Sequence, residues 1–188
     1  MRNDDACPQA FGIALYVRAA AGLSPLVDPP VPPLDDHVTA SVSPGHDLEA
    51  AAAQWASWWD ALVDGEQGPR EMSPPAFTGL SRSPQLRELV AELFAPAVRW
   101  TNGRRAVFID ELRRVGHPPP GIEGDVVRAA ERRAGRRARL FALSITVLPV
   151  AGAWSAQRDP HHLLVSEQLR ADDDAYRPVL EPVVDALL

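Results

Sequence analysis

The apolar residues of this 188-residue chain change their spacing near residue 140. Before that point they recur every three or four residues, which is the period of an amphipathic helix. After it they alternate in the period of a strand that Pro149 ends. The alternating sets are Phe141, Leu143, Ile145 and Val147 on one side and Ala142, Ser144 and Thr146 on the other. We expect the first set to be buried and the second to face water.

Helices are predicted where this three- to four-residue spacing coincides with capping residues and stop signals. In chain order they cover residues 11–23, 47–64, 83–101, 104–115, 124–139 and 172–187. Asn102–Gly103 should separate the third helix from the fourth, and Pro96 should kink the third. The fourth helix should bury a stripe made of Phe108, Ile109, Leu112 and Val115.

A second strand is predicted over residues 161–169, "HHLLVSEQL", after a loop that contains Trp154 and "QRDP". An antiparallel hairpin with a long loop is the natural pairing of the two strands. The predicted fold class is therefore α+β, a predominantly helical single domain with a C-terminal antiparallel β-hairpin and a final helix. Because hairpin edges can pair with another chain, we also expect a homodimer or a place in a larger assembly.

Prolines set the expected domain organisation. Four of them fall between Pro29 and Pro33, where the missing amide and fixed φ favour an extended or polyproline II conformation. We expect residues 1–46 to form an N-terminal segment with a proline-rich strap, and residues 47–188 to form the globular helical domain with the hairpin. The strap is either an ordered spacer over the domain or a ligand for an adaptor with an aromatic groove.

Composition excludes several classes of protein. A single cysteine, Cys7, permits no intramolecular disulfide and no multi-cysteine zinc site. The N-terminus does not have the pattern of a signal peptide, and no apolar run is long enough for membrane insertion. We therefore expect a cytoplasmic protein with no cofactor. All 19 basic residues are arginine, which is typical of a high-GC bacterial genome.

Charge is distributed unevenly along the chain, whose net charge is −6. Residues 1–98 carry 5 arginines against 13 acidic residues, and residues 140–188 carry 3 against 7. Residues 99–139 reverse this balance, with 11 arginines against 5 acidic residues. The chain is thus an acidic protein with one basic block, which can recruit an anionic partner or neutralise the protein's own acidic surface.

Six arginines within residues 128–139 form the strongest functional signal. At 100° per residue, Arg128, Arg132, Arg136 and Arg139 fall within about 80° of one another on a helix. Arg133 and Arg137 broaden that stripe. The leading hypothesis is a non-catalytic interaction or assembly protein that presents this arginine face to an acidic protein partner.

Nucleic acid is the alternative ligand for the same face. Two features argue against it. The connection between the helices predicted over 104–115 and 124–139, "GHPPPGIE", is too long for the tight turn of a helix-turn-helix, and no aromatic residues are interleaved among the arginines for base stacking. Two tryptophans are further candidates for partner contact, Trp58 and Trp154. Trp58, in "WASWW", lies at the border of the apolar stripe of the helix predicted over residues 47–64, and packing explains it as well. Trp55 and Trp59 are predicted core anchors.

A hydrolase-type enzyme centred on Asp159, His162 and Glu167 is the second alternative. The chain has no nucleophile elbow, no phosphate-binding glycine pattern and no metal-ligand spacing such as HExxH. Adjacent histidines on a strand point to opposite faces, so His161 and His162 would rarely share one ion. We therefore expect no bound metal and assign no catalytic residue.

Overall fold

The structure is a computed structural model that describes residues 2–4, 7–38, 42–65, 72–115, 121–138 and 141–188. Its helices and strands are, in chain order, β1 (Arg2–Asp4), α1 (Gln9–Ala20), α2 (Leu48–Val63), α3 (Pro84–Val115), α4 (Ile122–Ala134), β2 (Ser144–Leu148), β3 (Ser155–Asp159), β4 (His162–Ser166), α5 (Glu167–Ala171) and α6 (Asp173–Leu187). A short 3-10 helix, Thr78–Leu80, precedes α3. The predicted fold class, α+β with helix predominant, is confirmed.

The chain divides into two compact units. The helical unit comprises residues 7–104, and the sheet unit comprises residues 1–6 and 105–188. The division falls inside α3 and not at residues 46/47, where the sequence analysis placed a boundary. The reason is that α1 packs against α2, so the N-terminal segment shares a core with the first predicted domain helix.

Aromatic side chains hold the helical unit together. Trp55 stacks on Trp59 with ring centroids 5.1 Å apart, and Phe11 meets the Trp59 ring edge-on at 5.4 Å. The indole nitrogen of Trp55 donates a hydrogen bond to the backbone carbonyl of Ala14 at 2.8 Å. Both tryptophans are buried, which confirms their prediction as core anchors.

The proline-rich strap is ordered and is attached to the helical unit. Arg18 of α1 is buried, and its guanidinium donates hydrogen bonds to the carbonyls of Val31, at 2.8 Å, and Pro32. Burial lowers the pKa of Arg18 to about 10, so the side chain stays charged at neutral pH. Further along the strap, Arg104 lies 3.2 Å from a carboxylate oxygen of Asp35. These contacts support the ordered-spacer interpretation.

Helix α3 continues through Asn102–Gly103, where the sequence analysis wrongly expected a break. A glycine inside a helix costs only about 1 kcal/mol, which the strong helix formers that follow it, Arg104, Arg105 and Ala106, can offset. The expected buried stripe near the end of α3 is also wrong in part. Ile109 is 37 % exposed, and Phe108 is half-buried. The side chains of Leu112 and Val115 lie outside the described residues.

The sheet has the strand order β1-β2-β4-β3, which corrects the predicted hairpin. Strand β2 pairs in parallel with both β1 and β4, and the hairpin is formed by β3 and β4. Strand β3 escaped prediction because its sequence, "SAQRD", has only Ala156 buried and lacks an apolar alternation. The exposed polar edge residues Gln157, Arg158 and Asp159 disfavour pairing with another chain.

The expected wet side of β2 is wrong at Thr146, although Ser144 is half-buried and Ala142, which precedes the strand, is exposed. Thr146 is 3 % exposed and Leu148 is fully buried. Strands with parallel neighbours are commonly covered on both faces, unlike the strands of an isolated hairpin. The Thr146 hydroxyl lies 3.0 Å from a ring nitrogen of His162 on the neighbouring strand.

One face of the sheet packs on α4 and α6. The shared core contains Ile122, Val126, Ala130, Leu143, Ile145, Val147, Leu163, Val165, Leu169, Tyr176, Leu180, Val183 and Val184. The predicted apolar stripe of the last helix is confirmed, and Asp172 caps that helix by accepting from the amides of Asp174 and Ala175.

No helix in the described part of the chain has the length and apolarity needed to cross a membrane.

A buried charged cluster joins α4, α5 and α6. The carboxylate of Glu123 is 2.7 Å from the guanidinium of Arg170, and the Glu123 side chain is 2 % exposed. The Tyr176 hydroxyl donates to the same carboxylate at 3.4 Å. The Arg170 guanidinium lies 5.0 Å from the centre of the Tyr176 ring. Three helices of the sheet unit are therefore connected at one buried carboxylate.

Gly12→Ala should destabilise the protein, because a Cβ at residue 12 would lie 2.7 Å from the hydroxyl oxygen of Thr101 on α3. We expect a loss of about 1–3 kcal/mol in the free energy of unfolding, measured by urea denaturation. Gly103→Ala is the matched control, since its Cβ would meet nothing within 4 Å. That change should stabilise the helix by about 0.5–1 kcal/mol. Equal effects of the two changes would contradict the close approach of α1 and α3.

Glu123→Gln should lower the free energy of unfolding by about 2–3 kcal/mol, because it leaves the charge of Arg170 without its buried partner. The loss falls at the lower end of such effects because Arg170 is 23 % exposed. Asp125→Asn, in the same helical turn, breaks an exposed ion pair with Arg128 and should cost less than about 1 kcal/mol. Chemical denaturation measures the loss in the free energy of unfolding for each variant. Similar losses for the two variants would contradict a larger contribution of the buried pair.

Candidate anion-binding site

The arginine face is built at the carboxyl end of α4. Val126 and Ala130 bury one side of this helix in the core, so the helical period directs Arg128 and Arg132 away from it. Helix α4 ends earlier than predicted, at Ala134, because Gly135 takes the left-handed conformation with φ 64°. The helix therefore does not extend to residue 139.

This early end corrects the predicted arginine stripe. Arg136 and Arg137 follow the helix in the turn that Gly135 starts, so they do not share a helical face with Arg128 and Arg132. Arg139 lies outside the described residues. The turn nevertheless brings the side chains that follow the helix back towards its last turns.

The result is an open concavity of about 400 Å³. It is lined by Arg128, Glu131, Arg132, Gly135, Arg136 and Arg137. Glu131 has a structural role here, because its carboxylate accepts a hydrogen bond from the backbone amide of Ala138 at 2.9 Å. That bond holds the segment after the helix against the last turns of α4. The concavity thus has four guanidinium groups on its walls and one carboxylate that already has a donor.

Three arginines of the face have partners within the sheet unit. Arg128 forms an ion pair with Asp125, three residues earlier on the same helix. Arg133 contacts both carboxylate oxygens of Asp185, at 2.8 and 3.0 Å. Arg136 donates a hydrogen bond to the backbone carbonyl of Leu188. The two ion pairs give Arg128 and Arg133 a counter-charge, whereas the carbonyl of Leu188 gives Arg136 a hydrogen bond only.

Arg132 and Arg137 differ from these three. Both are exposed, and no hydrogen bond or ion pair to either side chain is found among the described residues. A guanidinium has five donors in a fork that matches carboxylate and phosphate oxygens. The concavity therefore offers two solvated guanidinium groups to an anionic ligand.

The two candidate tryptophans are placed differently from this face. Trp58 is 2 % exposed, so its side chain has little surface for a partner. Trp154 is half-buried just before β3, and its backbone amide donates to the Ser166 hydroxyl at 3.0 Å. Neither tryptophan lines the arginine concavity.

The residues of the predicted enzyme site are not brought together. Asp159 and His162 are neighbours across the β3–β4 turn, where Asp159 accepts from the amide of His161 at 2.6 Å. Glu167 follows the opposite end of β4, roughly 16 Å along the strand from His162. Within the described residues no group of three histidine, cysteine, aspartate or glutamate side chains could hold a metal ion. Nothing in this geometry favours hydrolysis.

A polar cluster that the sequence analysis missed lies in the helical unit. Glu92 of α3 accepts hydrogen bonds from the amide and hydroxyl of Ser43, at 2.8 and 2.9 Å, and contacts a ring nitrogen of His46 at 2.8 Å. The side-chain hydrogen bond with His46, followed by those with Ser43, lowers the pKa of Glu92. No contact between Ser43 and His46 completes a catalytic arrangement, so the cluster attaches the loop before α2 to α3. Its members are far apart in the chain, and no local pattern signals it.

Comparison of the chain with protein-family models, with curated proteins and with solved structures finds no match. The function must therefore be inferred from the site itself, and the arginine concavity is the site with the most defined chemistry.

The loop that contains Ser43 should detach from α3 in acid. The lowered pKa means that the carboxylate bonds stabilise the fold at neutral pH and are lost as the pH falls through the folded-state pKa of Glu92, below the ordinary value of about 4.3. The amide resonance of Ser43 in NMR spectra should shift with that midpoint. In Glu92→Gln the shift should be absent, whereas Glu88→Gln, on an exposed face of α3, should leave it intact. A midpoint at or above the ordinary value would contradict this.

Proposed function

We propose that this protein is a non-catalytic interaction protein that binds an acidic segment of a protein partner in the arginine concavity. The observation that carries the proposal is the pair formed by Arg132 and Arg137, two exposed guanidinium groups beside a 400 Å³ concavity. Two forked donors of this kind suit two carboxylates of a neighbouring chain.

The charge distribution supports the same ligand class. With a net charge of −6, the protein repels polyanions in general and attracts them only near residues 99–139. An acidic segment can approach this region locally. Repulsion from the rest of the acidic surface limits the length of the segment that can bind. Binding of this kind is salt-sensitive because its contacts are exposed.

Nucleic acid fits the site less well. A duplex presents a phosphate charge about every 1.7 Å along its axis, and binding draws on several cations at once. Here Asp125 and Asp185 already pair with Arg128 and Arg133. The lining of the concavity also contains no aromatic residue for base stacking. Nucleic acid therefore remains the alternative that the test below separates.

The proposal includes a cytoplasmic location, since a single cysteine, which permits no intramolecular disulfide, agrees with a reducing compartment. It leaves self-association as a prediction, to be measured by sedimentation. The polar edge of β3 gives that prediction no support.

Arg132→Gln/Arg137→Gln should weaken binding of a fluorescent hexaglutamate peptide, measured by anisotropy at low salt. Loss of two exposed contacts worth about 0.5–1 kcal/mol each corresponds to about a 5- to 30-fold weaker affinity. Arg82→Gln/Arg87→Gln removes the same charge from exposed positions just before and within α3, outside the basic block, and should change the affinity much less.

A short DNA duplex serves as the second probe in the same assay. If only the duplex binds, with an affinity that falls steeply with salt, the nucleic-acid alternative replaces the proposal. If hexaglutamate binds equally well to the double variant and to the unchanged protein, the concavity is not the binding site. If neither probe binds at low salt, both hypotheses are wrong.

A further inference from the structure

Helix α6 places an acidic side chain against the arginine face. The two carboxylate oxygens of Asp185 lie 2.8 and 3.0 Å from one guanidinium nitrogen of Arg133. Both side chains are about half exposed, at 48 % for Arg133 and 49 % for Asp185. The pair is therefore accessible to a ligand from solution.

The helix that carries this acidic side chain is held by the core. Val183 and Val184, which precede Asp185, are buried in the core that α6 shares with α4. Asp185 itself is exposed, and its contact with Arg133 places its carboxylate beside the last turn of α4. Arg136 also reaches the end of α6, through the carbonyl of Leu188. The last turn of α6 thus provides the face with its own anionic and carbonyl acceptors.

We infer that Asp185 is an internal competitor that withholds Arg133 from ligands and confines binding to the concavity. This inference rests on the proposed function. Arg133 does not line the concavity; it lies next to Arg132 on α4, about 100° further round the helix. If Asp185 left Arg133, the binding surface would extend from the concavity to a further guanidinium on α4.

Ligand choice follows from this arrangement. A short acidic segment with two neighbouring carboxylates can use Arg132 and Arg137 without disturbing Asp185. A longer acidic chain gains a third contact only by displacing a carboxylate that already has two short contacts with Arg133. The site therefore discriminates against long polyanions, because the extra contact replaces an existing one and adds little free energy.

Asp185→Asn in the full chain tests the inference with the same hexaglutamate peptide at low salt. Release of Arg133 should tighten hexaglutamate binding by about 2- to 5-fold, the effect of one exposed ion contact. A diglutamate probe is too short to gain it, so its affinity should change much less. Asp174→Asn, an exposed position at the opposite end of α6, removes the same charge and is the control.

A double-mutant cycle separates competition from a general charge effect. In an Arg133→Gln background, Asp185→Asn should no longer tighten hexaglutamate binding, because there is no guanidinium to release. Persistence of the gain in that background would show a through-space effect and overturn the inference, as would a gain equal to that of Asp174→Asn.

The outcomes for this inference and for the proposed function differ. If the unchanged protein binds hexaglutamate and Asp185→Asn binds it equally tightly, only the competitor role is wrong. If neither protein binds it, both ideas fail. Thermal denaturation of each variant shows whether the fold is retained, and the loss of one exposed ion pair should leave the melting temperature nearly unchanged.

Discussion

The carboxylate of Glu123 lies inside the sheet unit, and the guanidinium of Arg170 supplies its counter-charge at 2.7 Å. Moving two charges out of water is costly, so this pair adds little net stability compared with an apolar contact of the same size. Its effect is on arrangement, because the carboxylate brings Arg170 of α5 and Tyr176 of α6 to the start of α4. The same arrangement requires a glycine at residue 121, since a Cβ there would overlap the Glu123 carboxylate.

This constraint determines where the arginine face lies. Helix α4 is held at its start by the buried Glu123 cluster, along its length by Val126 and Ala130, and at its end by the exposed pair of Arg133 with Asp185. With one side of the helix committed to the core, Arg128 and Arg132 occupy the other, whereas Arg133 reaches α6 from the end of the helix. The concavity thus follows from the packing of α4, and the turn at Gly135 closes its far side.

Local sequence patterns predicted the elements better than their partners. The apolar stripe of α6 and its Asp172 cap were predictable because both depend on residues a few positions apart. The parallel pairing of β2 with β4 was not, because alternation identifies a strand without naming its neighbour. Polar β3 has no such pattern at all. The density of arginines in the sequence indicated the candidate site. The intramolecular acceptors of those arginines could not be predicted, since Asp185 is 52 residues from Arg133.

That sequence separation changes the meaning of the basic block. A count of arginines suggests an extended polycationic surface, whereas the folded chain pairs several of them with its own acceptors and leaves Arg132 and Arg137 solvated. Arg133 and Arg136 contact the end of α6, so these two arginines of the block already have partners within the fold. In the proposed function, recognition depends on two side chains of an acidic protein, so the placement of Arg132 and Arg137 contributes more to it than long-range attraction does.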